Sequence, residues 1–178
     1  MLFPASLNRK TRSVNFVFRQ ILHSDLGCAS YLIAAGEEAA VFDPQWDIGE
    51  YLEAAAEAGA EVRHVFETHF HADHVSGRQR LIEATGAAAH VSADPDRPTA
   101  GGVCDGDTVD VGAARVQVIG SPGHRPEHLA YLVTDPDRVG APPRLLSGDS
   151  LLVGELARPD LAVGRSRVPA PCRGQCDD

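Results

Sequence analysis

Three imidazoles and a carboxylate fall within six residues of this chain: His69, His71, Asp73 and His74, straight after the apolar run Val62 to Phe66. Neutral imidazole and carboxylate are the usual protein ligands of zinc and iron. The His-x-His-x-Asp-His spacing matters because side chains at i and i+2 leave one face of an extended segment together. A tight loop then suffices to bring Asp73 and His74 into the same pocket. The bland alternative is a polar loop with chance histidines. Only eight histidines occur in 178 residues, and so few make a four-ligand cluster hard to reach by accident.

Two further segments turn the cluster into a site. Ser121-Pro122-Gly123-His124 follows a β-like run, Ala114 to Ile119, and Gly148-Asp149 follows Arg144-Leu145-Leu146-Ser147. Each sets one ligand-type side chain just past a strand, where a loop presents it. Alone, His124 reads as a turn histidine and Asp149 as a turn aspartate beside glycine. In this order, behind the first cluster, both read as ligands.

Ordered this way, the motifs resemble the metallo-β-lactamase-fold superfamily, whose signature is His-x-His-x-Asp-His, then a histidine, then an aspartate. Within it, four segments are similar to the persulfide dioxygenase branch, in the bacterial form often fused to rhodanese domains. They are Glu67 to Gly77, Pro122 to His128, Gly148 to Gly154, and Arg158-Pro159-Asp160-Leu161. The resemblance runs from about Phe16 to Val163 and implies an αββα sandwich, incomplete at the C-terminal side. It implies one iron(II) per chain on the triad His69, His124 and Asp149, with zinc(II) as the alternative metal. His71, Asp73 and His74 would orient those ligands or hold a second metal. The substrate would be a glutathione-type persulfide, oxidised by O2 to sulfite, and Arg158 is a candidate for a substrate carboxylate. As a lone residue, Arg158 reads equally well as a structural ion-pair partner.

Two other functions stay open. A glyoxalase II-like thioester hydrolase would use two metals, one on His69, His71, His124 and Asp149, the other on Asp73, His74, Asp149 and a later histidine. No histidine follows His128 here, which weakens the dinuclear site more than the iron triad. The third reading is a non-catalytic, truncated remnant. Its unfinished sheet edge would favour aggregation or homo-oligomers.

Composition narrows the rest. The length permits one domain, and 43% hydrophobic with 23% charged residues is ordinary for a soluble globular chain. The net charge of −9 argues against nucleic acid as partner, and no apolar stretch is long enough to span a membrane. The four cysteines do not read as the disulfide framework of a small secreted domain, and a cytoplasmic location fits them. Cys28 lies in an apolar run and reads as a small buried hydrophobe.

The elements that must position the ligands are legible as short runs. Strands are expected at Phe16 to Leu22, Cys28 to Ala34, Ala39 to Phe42, Val62 to Phe66, Thr108 to Val111, Arg115 to Ile119, Leu129 to Val133 and Arg144 to Leu146, with turns such as Asp25-Leu26-Gly27 between them. A helix is expected to open at Asp47, with Glu50 as a capping-box partner and Gly59 as the stop. A second is expected from about His74 to Thr85, ended by Gly86. Ser92 to Gly102 reads as a loop. Of the aromatic side chains, Tyr31, Trp46, Phe66 and Phe70 could line a pocket, but core packing is the simpler assignment. His23, His64 and His90 read as structural.

Residues 1–15 read as a disordered extension and 16–163 as the metallo-β-lactamase-like domain. In 164–178 the Arg, Pro, Gly and Cys content shows no apolar periodicity. That segment reads as an unstructured tail of the kind an out-of-frame stretch of GC-rich DNA encodes, and no rhodanese domain is present in the chain.

Overall fold

The structure, a computed structural model, describes residues 15–23, 27–93, 101–138 and 140–156. The turn at Asp25-Leu26, Arg158, residues 1–14 of the expected N-terminal extension and the expected tail 164–178 lie outside the described residues.

Alternation of side chains builds two layers of sheet. Strands β1 (Phe16–His23), β2 (Cys28–Ala35) and β3 (Glu38–Phe42) form an antiparallel meander. β4 (Glu61–Phe66), β5 (Ala88–Ser92) and β6 (Gly102–Val103) then add in parallel, giving the order β1-β2-β3-β4-β5-β6. A second, antiparallel sheet runs β10-β9-β8-β7, from β7 (Thr108–Val111), β8 (Ala114–Gly120), β9 (Leu129–Thr134) and β10 (Arg144–Leu146). A small hairpin, β11 (Leu151–Leu152) and β12 (Glu155–Leu156), follows.

The period of two sorts the core. In β2 and β3, Leu32, Ala34, Ala39 and Val41 face the helices α1 (Gly49–Glu57) and α2 (Arg78–Thr85), where Tyr51, Ala54, Ala55 and Leu81 meet them. Ile33, Ala40 and Phe42 point the other way, onto Val116, Val118, Tyr131 and Val133 of the second sheet. Phe42 and Phe66 stack at 4.6 Å, and Tyr131 sits edge-on to Phe66 at 5.1 Å. Each such large side chain contributes on the order of 1.5–3 kcal/mol by leaving water. The described layers are therefore helix, sheet, sheet.

Every expected strand forms, within a residue or two at each end. The helix starts differ. α1 begins at Gly49 after an Ile48 cap, and no side-chain cap bond forms. Asp47 instead accepts the Gly49 N–H at 3.1 Å, so the capping box does not exist. α2 begins at Arg78 rather than His74. The reason is tertiary: the Gly77 N–H donates to the Pro44 carbonyl at 2.9 Å, and Ser76 pairs with Gln45 as an isolated bridge. A Cβ at Gly77 would sit 2.0 Å from the Gln45 carbonyl oxygen, so only glycine permits this approach. α2 ends as expected, with Gly86 left-handed at φ 72°. Strands β5 and β6 flank the segment expected to be one loop, because parallel pairing with β4 recruits Ala88–Ser92.

Among the aromatics, Phe66 is core, whereas Trp46 and Phe70 are exposed and Tyr31 is half-buried. Cys28 is half-buried at the start of β2. No helix among the described residues is long and apolar enough to cross a membrane.

Candidate metal centre

The ligand-type residues gather because three loops leave the two sheets at the same end. The loop after β4 carries Glu67 to Ser76, the β8–β9 loop carries His124 and His128, and the 3-10 turn after β10 (Gly148–Ser150) carries Asp149. Backbone bonds stitch them together. The Leu129 N–H donates to the Thr68 carbonyl at 2.7 Å, and the Asp43 N–H to the Phe66 carbonyl at 2.9 Å.

His69, His124 and Asp149 offer ligand atoms that all lie within 4.8 Å of one another. His69 Nε2 is 3.7 Å and His124 Nε2 3.5 Å from the same Asp149 oxygen, Oδ2. His69 is buried, while Asp149 is half exposed. The group is thus fixed on its protein side and open on the other. The donor set, two imidazole nitrogens and one carboxylate, fits a divalent metal.

A buried hydrogen-bond chain fixes which nitrogen of His69 faces that position. Thr68 Oγ1 donates to Asp43 Oδ2 at 3.0 Å and lies 2.9 Å from His69 Nδ1. A hydroxyl has one proton, so it must accept from His69 Nδ1–H. That leaves the Nε2 lone pair free to ligate. Burial, aided by the neighbouring His71, pushes the His69 pKa down to about 4, so the ring is neutral at physiological pH.

Asp43 is the residue that sequence reasoning missed. Its carboxylate is buried and also accepts the Thr68 N–H at 2.7 Å and His71 Nε2 at 3.0 Å. Its backbone is left-handed, φ 49°, and Ser30 Oγ donates to its carbonyl at 2.6 Å. The available signal was a carboxylate directly after the apolar run Ala39 to Phe42 and before Pro44. Burial lowers the His71 pKa, but hydrogen bonding and the charges of Asp43, Glu67 and Asp73 outweigh it, and the net shift is upward. The Asp43 bond holds His71 by Nε2, and its Nδ1 lies 3.9 Å from Asp73 Oδ1.

His128 lies beside His124, the two rings edge-on at 6.3 Å. It precedes β9 and lies fully buried. Its Nε2 accepts the Asp149 N–H at 3.2 Å, its Nδ1 meets Ser121 Oγ at 2.7 Å, and its ring stacks on His69 at 5.1 Å. Burial lowers its pKa. Gly148 makes room for this contact: a Cβ there would meet His128 Nε2 and Thr68 Oγ1, each at 2.7 Å, and its φ is +50°.

Asp73 and His74 stand on the far side of His71: its Nδ1 is 3.9 Å from Asp73 Oδ1, and its ring is 4.2 Å from that of His74. His74 Nδ1 is 3.1 Å from Asp73 Oδ1, and the Cys28 thiol donates to Asp73 Oδ2 at 3.1 Å. Cys28 is thus half-buried and polar in its contacts, not the small buried hydrophobe expected. Glu67 anchors the loop from beneath, paired with Arg78 at 2.6 Å and bonded to Ser76 Oγ. The three histidines expected to be structural are so: His23 bonds Ser30 and Tyr51, and His64 Nδ1 meets His90 Nε2 at 3.0 Å.

The model of the metallo-β-lactamase superfamily matches residues 23–175. The chain belongs to the metallo-β-lactamase superfamily. Its fold is the mixed α/β arrangement of that superfamily. The chain is 34% identical to a metallo-β-lactamase from Staphylococcus aureus, with a TM-score of 0.76 over 84% of this chain and 48% of that one. It is 33% identical to ETHE1 from Myxococcus xanthus, TM-score 0.68, over 80% and 61% of the two chains. A hydroxyacylglutathione hydrolase of Gloeobacter violaceus is 36% identical over 128 residues, 70% of this chain and 48% of that protein. The chain spans about half the length of the curated relatives it matches.

Proposed function

We propose that this chain is an iron(II)-dependent dioxygenase that oxidises a glutathione-type persulfide to sulfite. The observation that carries the reading is the separation of His71 from the triad. In a hydrolase of the dinuclear kind, His71 would ligate beside His69 and His124. Here the ligand atoms that converge within 4.8 Å belong to His69, His124 and Asp149, without His71. Two histidines and one carboxylate, with the opposite face open, are the ligands of non-haem iron oxygenases. The likeness to ETHE1 from Myxococcus xanthus supports the same reading.

His69, His124 and Asp149 would hold the iron(II), which when bound would supply the redox chemistry. The chain's own residues hold that geometry. Asp43 and Thr68 fix the His69 tautomer, and His128 holds the Asp149 backbone. Dioxygen would supply two oxygen atoms to the terminal sulfur, and water would supply the third as it cleaves the S–S bond, giving sulfite and the free thiol. Arg158, outside the described residues, is the proposed partner of a substrate carboxylate.

A second reading is favoured by the curated relatives, whose name is hydroxyacylglutathione hydrolase. One experiment separates the two. The purified chain is loaded anaerobically with iron(II), its metal content is measured, and O2 uptake is followed on addition of glutathione persulfide. About one iron per chain with persulfide-dependent uptake is expected. Two zinc ions with thioester hydrolysis and no uptake would replace the dioxygenase by the hydrolase.

A further inference from the structure

We infer that Tyr51 is a positioning residue of the metal centre, acting with Ser30 and His23: its hydroxyl locks the Asp43 turn that, through Thr68, sets the His69 ring. The inference rests on His69, His124 and Asp149 holding a divalent metal, and not on which reaction follows. Tyr51 is not among the converging ligands. It acts from helix α1, its side chain fully buried in the core between that helix and the first sheet. A phenylalanine ring would fill the same space, so packing alone does not require the hydroxyl.

What the hydroxyl bonds is the turn that presents Asp43. The Asp43 backbone is left-handed, φ 49°, a conformation that a residue with a Cβ keeps only where its surroundings over-determine it. The Tyr51 hydroxyl accepts the Gln45 N–H at 2.9 Å, just past Asp43 in the chain, and donates to Ser30 Oγ at 2.9 Å. Ser30 Oγ in turn donates to the Asp43 carbonyl at 2.6 Å. His23 Nε2 closes the cluster, 3.1 Å from Ser30 Oγ and 3.2 Å from the Tyr51 oxygen. Both sides of the turn are thereby tied to one phenol.

Counting protons gives the cluster a direction. A carbonyl only accepts, so the Ser30 proton goes to Asp43. Ser30 Oγ must then accept from Tyr51, which uses the single tyrosine proton. Both oxygens are left as acceptors, and His23 Nε2 carries the proton that they share. Only this arrangement gives every contact a proton. The Asp43 carboxylate carries the line onward: it holds the Thr68 N–H at 2.7 Å and the Thr68 hydroxyl at 3.0 Å, and Thr68 Oγ1 takes the His69 Nδ1 proton. Tyr51 thus reaches the ligand ring through Ser30, Asp43 and Thr68 without touching the metal.

The test is Tyr51→Phe, read in two ways. In the apo chain, nitrogen chemical shifts of isotope-labelled histidine report the His69 tautomer. The unsubstituted chain is expected to show the Nδ1–H form alone, and Tyr51→Phe a mixture with the Nε2–H form. With cobalt(II) as the probe metal, titration by visible absorption is expected to show affinity lower by about tenfold, the scale on which groups that orient a ligand act. In a Thr68→Val background the line to His69 is already cut, so Tyr51→Phe should change cobalt affinity by less than about twofold. Val62→Ala loosens the same core layer at the end of β4 away from the site, and should leave tautomer and affinity unchanged. Should Tyr51→Phe fail to fold by far-ultraviolet circular dichroism, Ser30→Ala, which removes the donor to the Asp43 carbonyl, carries the same test. A pure Nδ1–H form with undiminished affinity in Tyr51→Phe would overturn the inference. So would an equal loss of affinity in Val62→Ala, or an undiminished effect of Tyr51→Phe in the Thr68→Val background. An unsubstituted chain that takes up no cobalt would sink the metal reading instead, and the apo tautomer would still decide on Tyr51.

Discussion

At the scale of single residues, Thr68 is the smallest group with the largest consequence. Its hydroxyl sits between Asp43 and His69 and sets the tautomer of the ligand ring. Thr68→Val keeps the shape and removes the hydroxyl. Asp43 then loses a donor in a buried place, which costs about 1–3 kcal/mol. His69 loses its orienting partner, which lowers metal affinity by about 10–100-fold. Thr68→Ser should restore most of both. Urea unfolding of the apo chain and iron content after dialysis read the two effects separately.

Elements hold the site through close approaches that side chains would obstruct. Gly148 lets the turn after β10 press onto His128 and Thr68. Gly148→Ala adds a clash and a left-handed φ for a residue with a Cβ. The expected cost is about 1–3 kcal/mol, with Asp149 pushed away from His69 and metal content falling in step. Thermal unfolding and elemental analysis check this. The loop after β4 depends in turn on α2, through Arg78 and the buried Glu67. Removing one partner of a fully buried pair costs about 3–5 kcal/mol. Arg78 is about 30% exposed, so Arg78→Met should lie at or below the bottom of that range. Water can reach the Glu67 charge that remains. An Arg78→Met chain as stable as the unsubstituted one in urea would show that this pair does not anchor the loop.

For the whole molecule, acid sensitivity follows from histidines buried without charge. Burial and the neighbouring His64 hold the His90 pKa down to about 4, and burial lowers that of His64 as well. An unfolded histidine titrates near 6.5. Between those values the unfolded chain binds the protons and the folded chain does not. The stabilisation is therefore complete above about pH 6.5 and is lost as pH falls toward 4. The apo chain should melt several degrees lower at pH 5 than at pH 7. His90→Phe, which keeps a ring against Phe66, should shrink that difference. An unchanged difference would remove His90 from the account.

Strands, their order along the chain and the ligand types were legible in the sequence because each depends on neighbours a few residues away. Alternation writes the strands, Gly86 writes a helix end, and His69 to His74 arrive as one contiguous motif. What only the tertiary structure decided are the partners. Asp43 reaches Thr68 across 25 residues, and Cys28 reaches Asp73 across 45. No local pattern records such pairings, since they exist only once β2, β3 and β4 lie side by side. The α2 start moved for the same reason: His74 to Gly77 has helical company in sequence, but Pro44 and Gln45 claim its backbone in space. So the sequence by itself determined which side chains could bind a metal. Packing decided which nitrogen of His69 faces it, that His71 turns to Asp43, and that Cys28 meets Asp73.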